Sequence, residues 1–344
     1  MSKDDRFCPA CGFRLQSSRT TGQPSSDLCR TLCRCAERTY ERLAESHLVG
    51  QAIGEDSFTD FNLQDVRRAH GDRVLTRRFT REQEARNGAD WEWWFHDGTR
   101  GFGIRVQAKK AYRDGRYVLH HVIGKTGALQ SDRLIEAASA SDCLPFYVFY
   151  SHRSWTPSHP DRAPADCEHT RADQRQLGCT IASALVVQGV LATGQRRSND
   201  HVRDHSIPWN RLLCGSPPAD KGSTRLETAH ARILDLHWNG VDDLHRAMTA
   251  PPPTEAPDLH PQKDRKASRR PAEPDEPVGL LKRASPRPRH VNLDTPVYWN
   301  FNAMTDRPLQ PLPTRITQMI RTEKVATAPD PYAAGAILVD LSEE

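Results

Sequence analysis

The stretch from Asp90 to Lys109 constrains the fold more than any other part of the chain. Two runs of alternating character flank Asp97-Gly98, and Asp-Gly between two such runs is a strong hairpin signal. Side chains alternate faces along a strand. On the first strand Trp91, Trp93 and Phe95 share a face, opposite Asp90, Glu92 and Trp94. On the second, Ile104, Val106 and Ala108 oppose Arg105, Gln107 and Lys109. The two apolar faces join one core. The two polar faces bring Asp90, Glu92, Gln107 and Lys109 together on the other side.

Around this hairpin the pattern reads as an α/β unit. Leu28, Leu32, Ala36, Tyr40, Leu43 and Leu48 recur near the helical period. A second helix, capped by Ser57 or Thr59, carries Phe61, Leu63 and Val66 and ends before Gly71. Residues 73–79 and 117–122 read as strands, 128–140 as a helix and Pro145–Tyr150 as a buried strand. The polar stretch 152–176 reads as a loop, Ile181–Ala192 as a compact apolar helix and 224–249 as a helical extension. Residues 251–290 hold 10 of the 25 Pro in the chain. With mixed charge and few aromatics, that stretch cannot bury enough apolar surface to offset chain entropy. The expected organisation is a Cys-rich segment at 1–35, a core at 36–215, the extension at 216–250, a Pro-rich linker at 251–294, and a C-terminal segment at 295–344 that docks back onto the core.

Composition removes several classes. No run approaches the roughly 18 apolar residues of a membrane helix. Met-Ser-Lys-Asp-Asp-Arg leads into no apolar stretch, so a secretory signal is not expected and the protein is expected to be cytoplasmic. The formal charge of +4 neither demands nor excludes a nucleic-acid partner.

The polar face of the hairpin suits phosphodiester cleavage. A carboxylate and a second oxygen ligand hold a hard cation such as Mg²⁺, which neutralises phosphate and polarises water. A nearby lysine orients that water or stabilises the developing charge. The plainer alternative is a half-buried hairpin with a solvated polar face.

Gly88-Ala89-Asp90 entering a strand, a hairpin, and Gln107-Ala108-Lys109 ending the next strand together resemble the PD-(D/E)XK nuclease superfamily, in which an Asp is followed by Glu/Gln-x-Lys. The wider wording, Gly88–Trp94 with Val106–Lys109, is also similar to an uncharacterised bacterial family of unknown function. The resemblance runs from about Cys29 to Cys214. It implies a restriction-endonuclease-like core, with a central mixed sheet flanked by helices. It implies that Asp90 is a ligand for Mg²⁺ or Mn²⁺, that Gln107 occupies the second acidic position and that Lys109 is the catalytic lysine. It also implies a glutamate from the first helix, with Glu55 the candidate and Glu84 its rival. Gln supplies an oxygen but no charge, so the cation needs another carboxylate from Glu55, Glu84 or Glu92. The expected function is metal-dependent hydrolysis of nucleic acid, most naturally DNA, in bacterial defence or DNA processing. The alternative is an inactive zinc-containing binding module on the same fold.

Five of the nine Cys lie in the first 35 residues. Cys8-Pro9-Ala10-Cys11 is one half of a zinc knuckle. Cys29 and Cys33 share a helix face and are the candidate second half, with Cys35 the spare or a replacement for one of them; free thiols are the alternative. A weaker cluster is Cys167, His169 and Cys179, with His152 nearby. Arg67, Arg68, Arg73, Arg77, Arg78, Arg81 and Arg86 precede the candidate site, and Lys110, Arg113 and Arg116 follow it. They read as a phosphate-tracking groove or as a solvated face. Lys125 is a candidate phosphate contact. Trp94 either stacks on a base or packs under the C-terminal segment. Lone histidines such as His120, His121 and His201 read as surface or core fillers.

Overall fold

The computed structural model describes residues 6–7, 14–15, 27–78, 90–123, 128–157, 160–167, 169–193, 198–214, 224–249, 309–322 and 335–342. Cys8, Cys11, Glu84, Lys125 and the Pro-rich linker lie outside the described residues.

In chain order, short strands β1 (Arg6–Phe7) and β2 (Arg14–Leu15) precede helices α1 (Leu28–Val49) and α2 (Glu55–Ala69). Strands β3 (Val74–Arg78), β4 (Trp91–His96) and β5 (Arg100–Lys110) follow. Next come β6 (Val122–Ile123), β7 (Ala128–Leu129), α3 (Gln130–Ser139) and β8 (Cys143–Tyr150). Then β9 (Cys179–Ser183), α4 (Ala184–Thr193), α5 (Ser198–Asp204), β10 (Ile207–Pro208) and α6 (Arg225–Thr249) lead to β11 (Gln310–Pro311), α7 (Thr314–Thr322) and β12 (Gly335–Asp340).

Local chemistry explains the boundaries that matter. The Asp27 carboxylate accepts from the Cys29 N–H at 2.7 Å and starts α1. Gly50, at φ 70°, ends it. Glu55 and Asp56 sit in the first turn of α2, and Arg67 and Arg68 in its last, matching the helix dipole at both ends. In the β4–β5 turn, Asp97 accepts from the N–H groups of Thr99 and Arg100 at 2.9 and 2.8 Å, and Gly98 takes φ 91°.

Eight strands form one mixed sheet, in the order β10-β9-β8-β5-β4-β12-β3, with β11 added to β5. The pairs β5–β8 and β4–β12 are parallel; the other pairs in the sheet are antiparallel. The protein is therefore an α/β fold with a mixed sheet flanked by helices. Trp91, Trp93, Phe95, Ile104, Val106 and Ala108 share one buried cluster with Leu32 and Leu43 of α1, Phe58 of α2 and Ile233 of α6. Trp94 and Leu338 join Ile316 and Met319 of α7 and Ala138 of α3 in a second cluster. The polar face of the hairpin is thus covered, and every residue of β4 is buried. Gly103 makes this close fit possible, since a Cβ there would lie 2.7 Å from the Trp94 ring and from Cys143 Sγ.

Three expectations change in detail. Ile181–Ala192 is not one helix: Cys179–Ser183 pairs with β8 as a strand, and only then does α4 begin. An unbroken apolar run fits either element, and length alone does not separate them. Within 117–122, only Val122 enters a strand. The cysteines at 29, 33 and 35 are buried within α1, so they belong to the core rather than to a separate Cys-rich segment. The C-terminal segment goes further than docking. Its strand β12 lies inside the sheet, parallel to β4 and antiparallel to β3.

Candidate active site

The register of the hairpin sets Glu92 opposite Arg105 and Trp91 opposite Val106, and just past that last pair Asp90 meets Gln107. The Asp90 N–H donates to the Val106 carbonyl at 2.9 Å. Asp90 Oδ2 accepts from Gln107 Nε2 at 2.9 Å and from the Ala108 N–H at 2.7 Å. Gln107 Oε1 accepts from Gln130 Nε2 at 2.8 Å, so the first residue of α3 holds the other end of the amide. Glu55, the first residue of α2, reaches the same place from another layer. Its Oε2 accepts from the Lys110 N–H at 2.8 Å, and its Oε1 lies 3.6 Å from Lys109 Nζ. Asp90, Gln107, Lys109 and Glu55 therefore converge where β5 ends.

The electrostatics are uneven. Burial pushes the Asp90 carboxyl up to about 7; the Ala108 N–H and Lys109 oppose this, and the Glu55 charge adds to it. Two buried polar atoms beside the site, Tyr147 Oη and Gln130 Oε1, have no hydrogen-bond partner among the described residues. Tyr147 is paired with Gln107 across β5–β8. Burial and then the charges of Asp90, Asp132 and Glu55 raise its hydroxyl pKa. His121, whose pKa is lowered by desolvation and then by Lys109, completes the surroundings. Sequence reasoning missed Gln130 and Tyr147. Each comes from an element whose pairing with β5 is set by tertiary contacts, and no local spacing marks either.

The remaining candidates lie elsewhere. Glu92 is completely buried and is not with Asp90. It accepts from Arg105 Nε at 2.9 Å, Arg315 Nη1 at 2.8 Å and Trp94 Nε1 at 2.9 Å. These partners occupy its carboxylate, which corrects its assignment as a Mg²⁺ ligand. Trp94 is buried against α7, with the Arg315 guanidinium 5.3 Å from its ring centroid, so of its two readings packing under the C-terminal segment holds. Lys110 turns inward and donates to the Ile53 carbonyl at 2.7 Å rather than facing a phosphate. Arg77 and Arg78 lie on β3, opposite Ala336 and Gly335.

A different group of side chains carries the metal-ligating chemistry of the cysteines. Cys29, Cys167, His169 and Cys214 place their ligand atoms within 4.8 Å of one another. Cys33 packs beside them but is not one of the four. Cys179 sits apart, accepting from Asn62 Nδ2 at 3.6 Å, and Cys35 faces the Asn62 carbonyl. His152 lies against His47 instead, the two rings tilted by 51°. A third group, His201, His205 and Asp243, is accounted for by imidazole–carboxylate contacts of 2.7 and 3.4 Å.

Fold and site together define an α/β protein whose mixed sheet gathers a carboxylate, an amide and a lysine at one strand end, with a glutamate from a helix N-terminus. The chain belongs to the family of unknown function DUF6615, whose model matches residues 28–339. That match runs from the first residue of α1 into β12, and so takes in the C-terminal strand. No curated protein and no solved structure matches the chain. Among the described residues, no helix is long and apolar enough to cross a membrane.

Proposed function

We infer that the protein is a metal-dependent phosphodiester hydrolase acting on nucleic acid, with DNA the substrate class to test first, and that its sheet is a restriction-endonuclease-like core. The observation that carries this reading is the convergence of Asp90, Gln107, Lys109 and Glu55 at the end of β5. The residues fit a hard cation. Two carboxylates supply charge, and the Gln107 side chain, whose oxygen now accepts from Gln130, would supply a neutral oxygen if its amide turned over. The Asp90 carboxyl also lacks a cationic side chain as hydrogen-bond partner among the contacts above. A bound Mg²⁺ or Mn²⁺ would neutralise phosphate and lower the pKa of water. Lys109, held by Glu55, is placed to orient water or to stabilise charge on the phosphoryl oxygens. Gln107 ties Asp90 to α3 and fixes its orientation.

One observation favours a second reading, an inactive binding module. The Gln107 amide nitrogen, not its oxygen, faces Asp90, and that pair is closed without a cation. A cleavage assay separates the two. Plasmid, linear duplex, single-stranded DNA and RNA are incubated with Mg²⁺, Mn²⁺ or EDTA, wild type beside Lys109→Ala. Metal-dependent cutting that vanishes in the variant is expected. Metal-indifferent binding without cutting of any substrate would favour the binding module.

A further inference from the structure

We propose that Cys29, Cys167, His169 and Cys214 hold one structural zinc ion that clamps the start of α1 to two distant parts of the chain. The proposal does not depend on the nuclease reading. The donors come from the first turn of α1, from the loop between β8 and β9, and from the segment after the turn Trp209–Leu212. Cys29 Sγ lies 4.0 Å from Cys167 Sγ, and Cys214 Sγ lies 3.8 Å from His169 Nδ1. Tetrahedral zinc, with bonds of about 2.3 Å to sulfur and about 2.1 Å to nitrogen, sets its ligand atoms about 3.6–3.8 Å apart. The observed separations are close to that. The sulfur–sulfur separation is far too long for a disulfide, whose sulfurs lie about 2.05 Å apart, and all three cysteines are free thiols.

Packed thiols alone do not explain the histidine. His169 turns Nδ1 toward Cys214 and Nε2 toward Asp27 Oδ2, at 3.1 Å. A carboxylate on the far nitrogen is the usual second support of a zinc-bound imidazole. Asp27 holds that position because its other oxygen caps α1 at the Cys29 N–H. Arg232 donates to the Cys214 carbonyl, placing a positive charge beside Cys214 and Cys29. Four protein ligands leave no open coordination position, which marks a structural rather than a catalytic ion. The length of α1, about 30 Å at about 1.5 Å per residue, lies between this cluster and the Ile53–Glu55 end of the Asp90 site. The four ligands also fall within the family match, whereas Cys8 and Cys11 precede it.

The test uses the purified full chain. Tightly bound zinc is counted by elemental analysis, and Co²⁺ is exchanged in to read geometry. Wild type is expected to show intense visible bands of tetrahedral cobalt and a thiolate charge-transfer band. Cys167→Ser and Cys214→Ser are each expected to lose one metal equivalent, which Cys33→Ser and the double variant Cys8→Ser/Cys11→Ser retain. Asp27→Asn still caps the helix and is expected to fold, binding zinc about 10–100-fold more weakly in competition with a chelator. Wild type with no thiolate charge-transfer band would overturn the proposal. So would a metal lost with Cys8 and Cys11 but kept without Cys167 and Cys214.

Discussion

Asp90, just ahead of β4, and Glu92 within it stand two residues apart, and the fold treats them in opposite ways. Glu92 is completely buried, yet two arginines and an indole N–H satisfy it. Burial works against its charge, but Arg105 and Arg315 outweigh burial and hold its carboxyl below the usual range. Among the described residues, Asp90 receives an amide and a backbone N–H, and its carboxyl rises to about 7. A buried acid that is fully paired is part of the core; one left short of positive charge is a candidate functional residue. The contrast locates the candidate site at Asp90 and removes Glu92 from it.

The largest test of the contrast is Glu92→Ala. It would remove the carboxylate paired with Arg105, which is itself fully buried. Breaking a buried pair by removing one partner costs about 3–5 kcal/mol, so a large drop in the urea midpoint is expected. A variant as stable as wild type that had lost metal-dependent cutting would instead return Glu92 to the active site.

Next in size is Lys109→Ala. Removing a positioned charge from a reaction of this kind costs about a hundredfold or more in rate. Cleavage kinetics are expected to show that loss, with an unfolding midpoint that moves much less than in Glu92→Ala. Equal damage to folding and to cutting would make Lys109 a structural partner of Glu55 and blur the distinction drawn here.

The strand face was legible in the sequence because alternation is local. Trp91, Trp93 and Phe95 could only go one way once the Asp97-Gly98 turn was recognised, and Asp90 and Gln107 followed from the pairing. Glu55 came from the family resemblance, because the helix-start signals pointed to Ser57 or Thr59 whereas the helix begins at Glu55 after Gly54. What decides between Asp90 and Glu92 was not legible, since Arg315 arrives from α7, 223 residues further along the chain. The same limit hid the place of β12. An apolar run announces a buried strand but not the neighbours it will lie between, and here they are β4 and β3. The cysteine tetrad shows it most plainly. Cys167-x-His169 is its only short-range spacing, and Cys29 and Cys214 join it through the fold alone.

A smaller effect reads the electrostatics directly. The folded protein keeps the Asp90 proton up to about pH 7, while the unfolded chain releases it near the ordinary value of about 3.9. Between those values the unfolded state holds fewer protons, so rising pH lowers stability. Asp90→Asn carries no such charge. Without divalent metal, the variant and wild type are expected to be nearly equal at pH 4, with the variant more stable by roughly 1–3 kcal/mol at pH 8. Denaturation at both pH values checks this. Mg²⁺ is expected to raise the wild-type midpoint at pH 8 and to leave the variant unchanged. A variant less stable than wild type at pH 8 would mean that Asp90 is compensated much as Glu92 is.

The smallest expected effect sharpens the comparison from the other strand. Gln107→Glu places a second carboxylate against Asp90 where the amide now donates at 2.9 Å. Without metal the two charges repel, so one retains its proton and stability falls slightly as pH rises. With metal the added charge is neutralised. Apparent Mg²⁺ affinity, read from the metal dependence of cutting or of the midpoint, is expected to rise about tenfold, or about 1.4 kcal/mol. Weaker metal binding in the variant would show that the Gln107 amide holds Asp90 closed for packing, as the arginines hold Glu92, and would favour the inactive binding module.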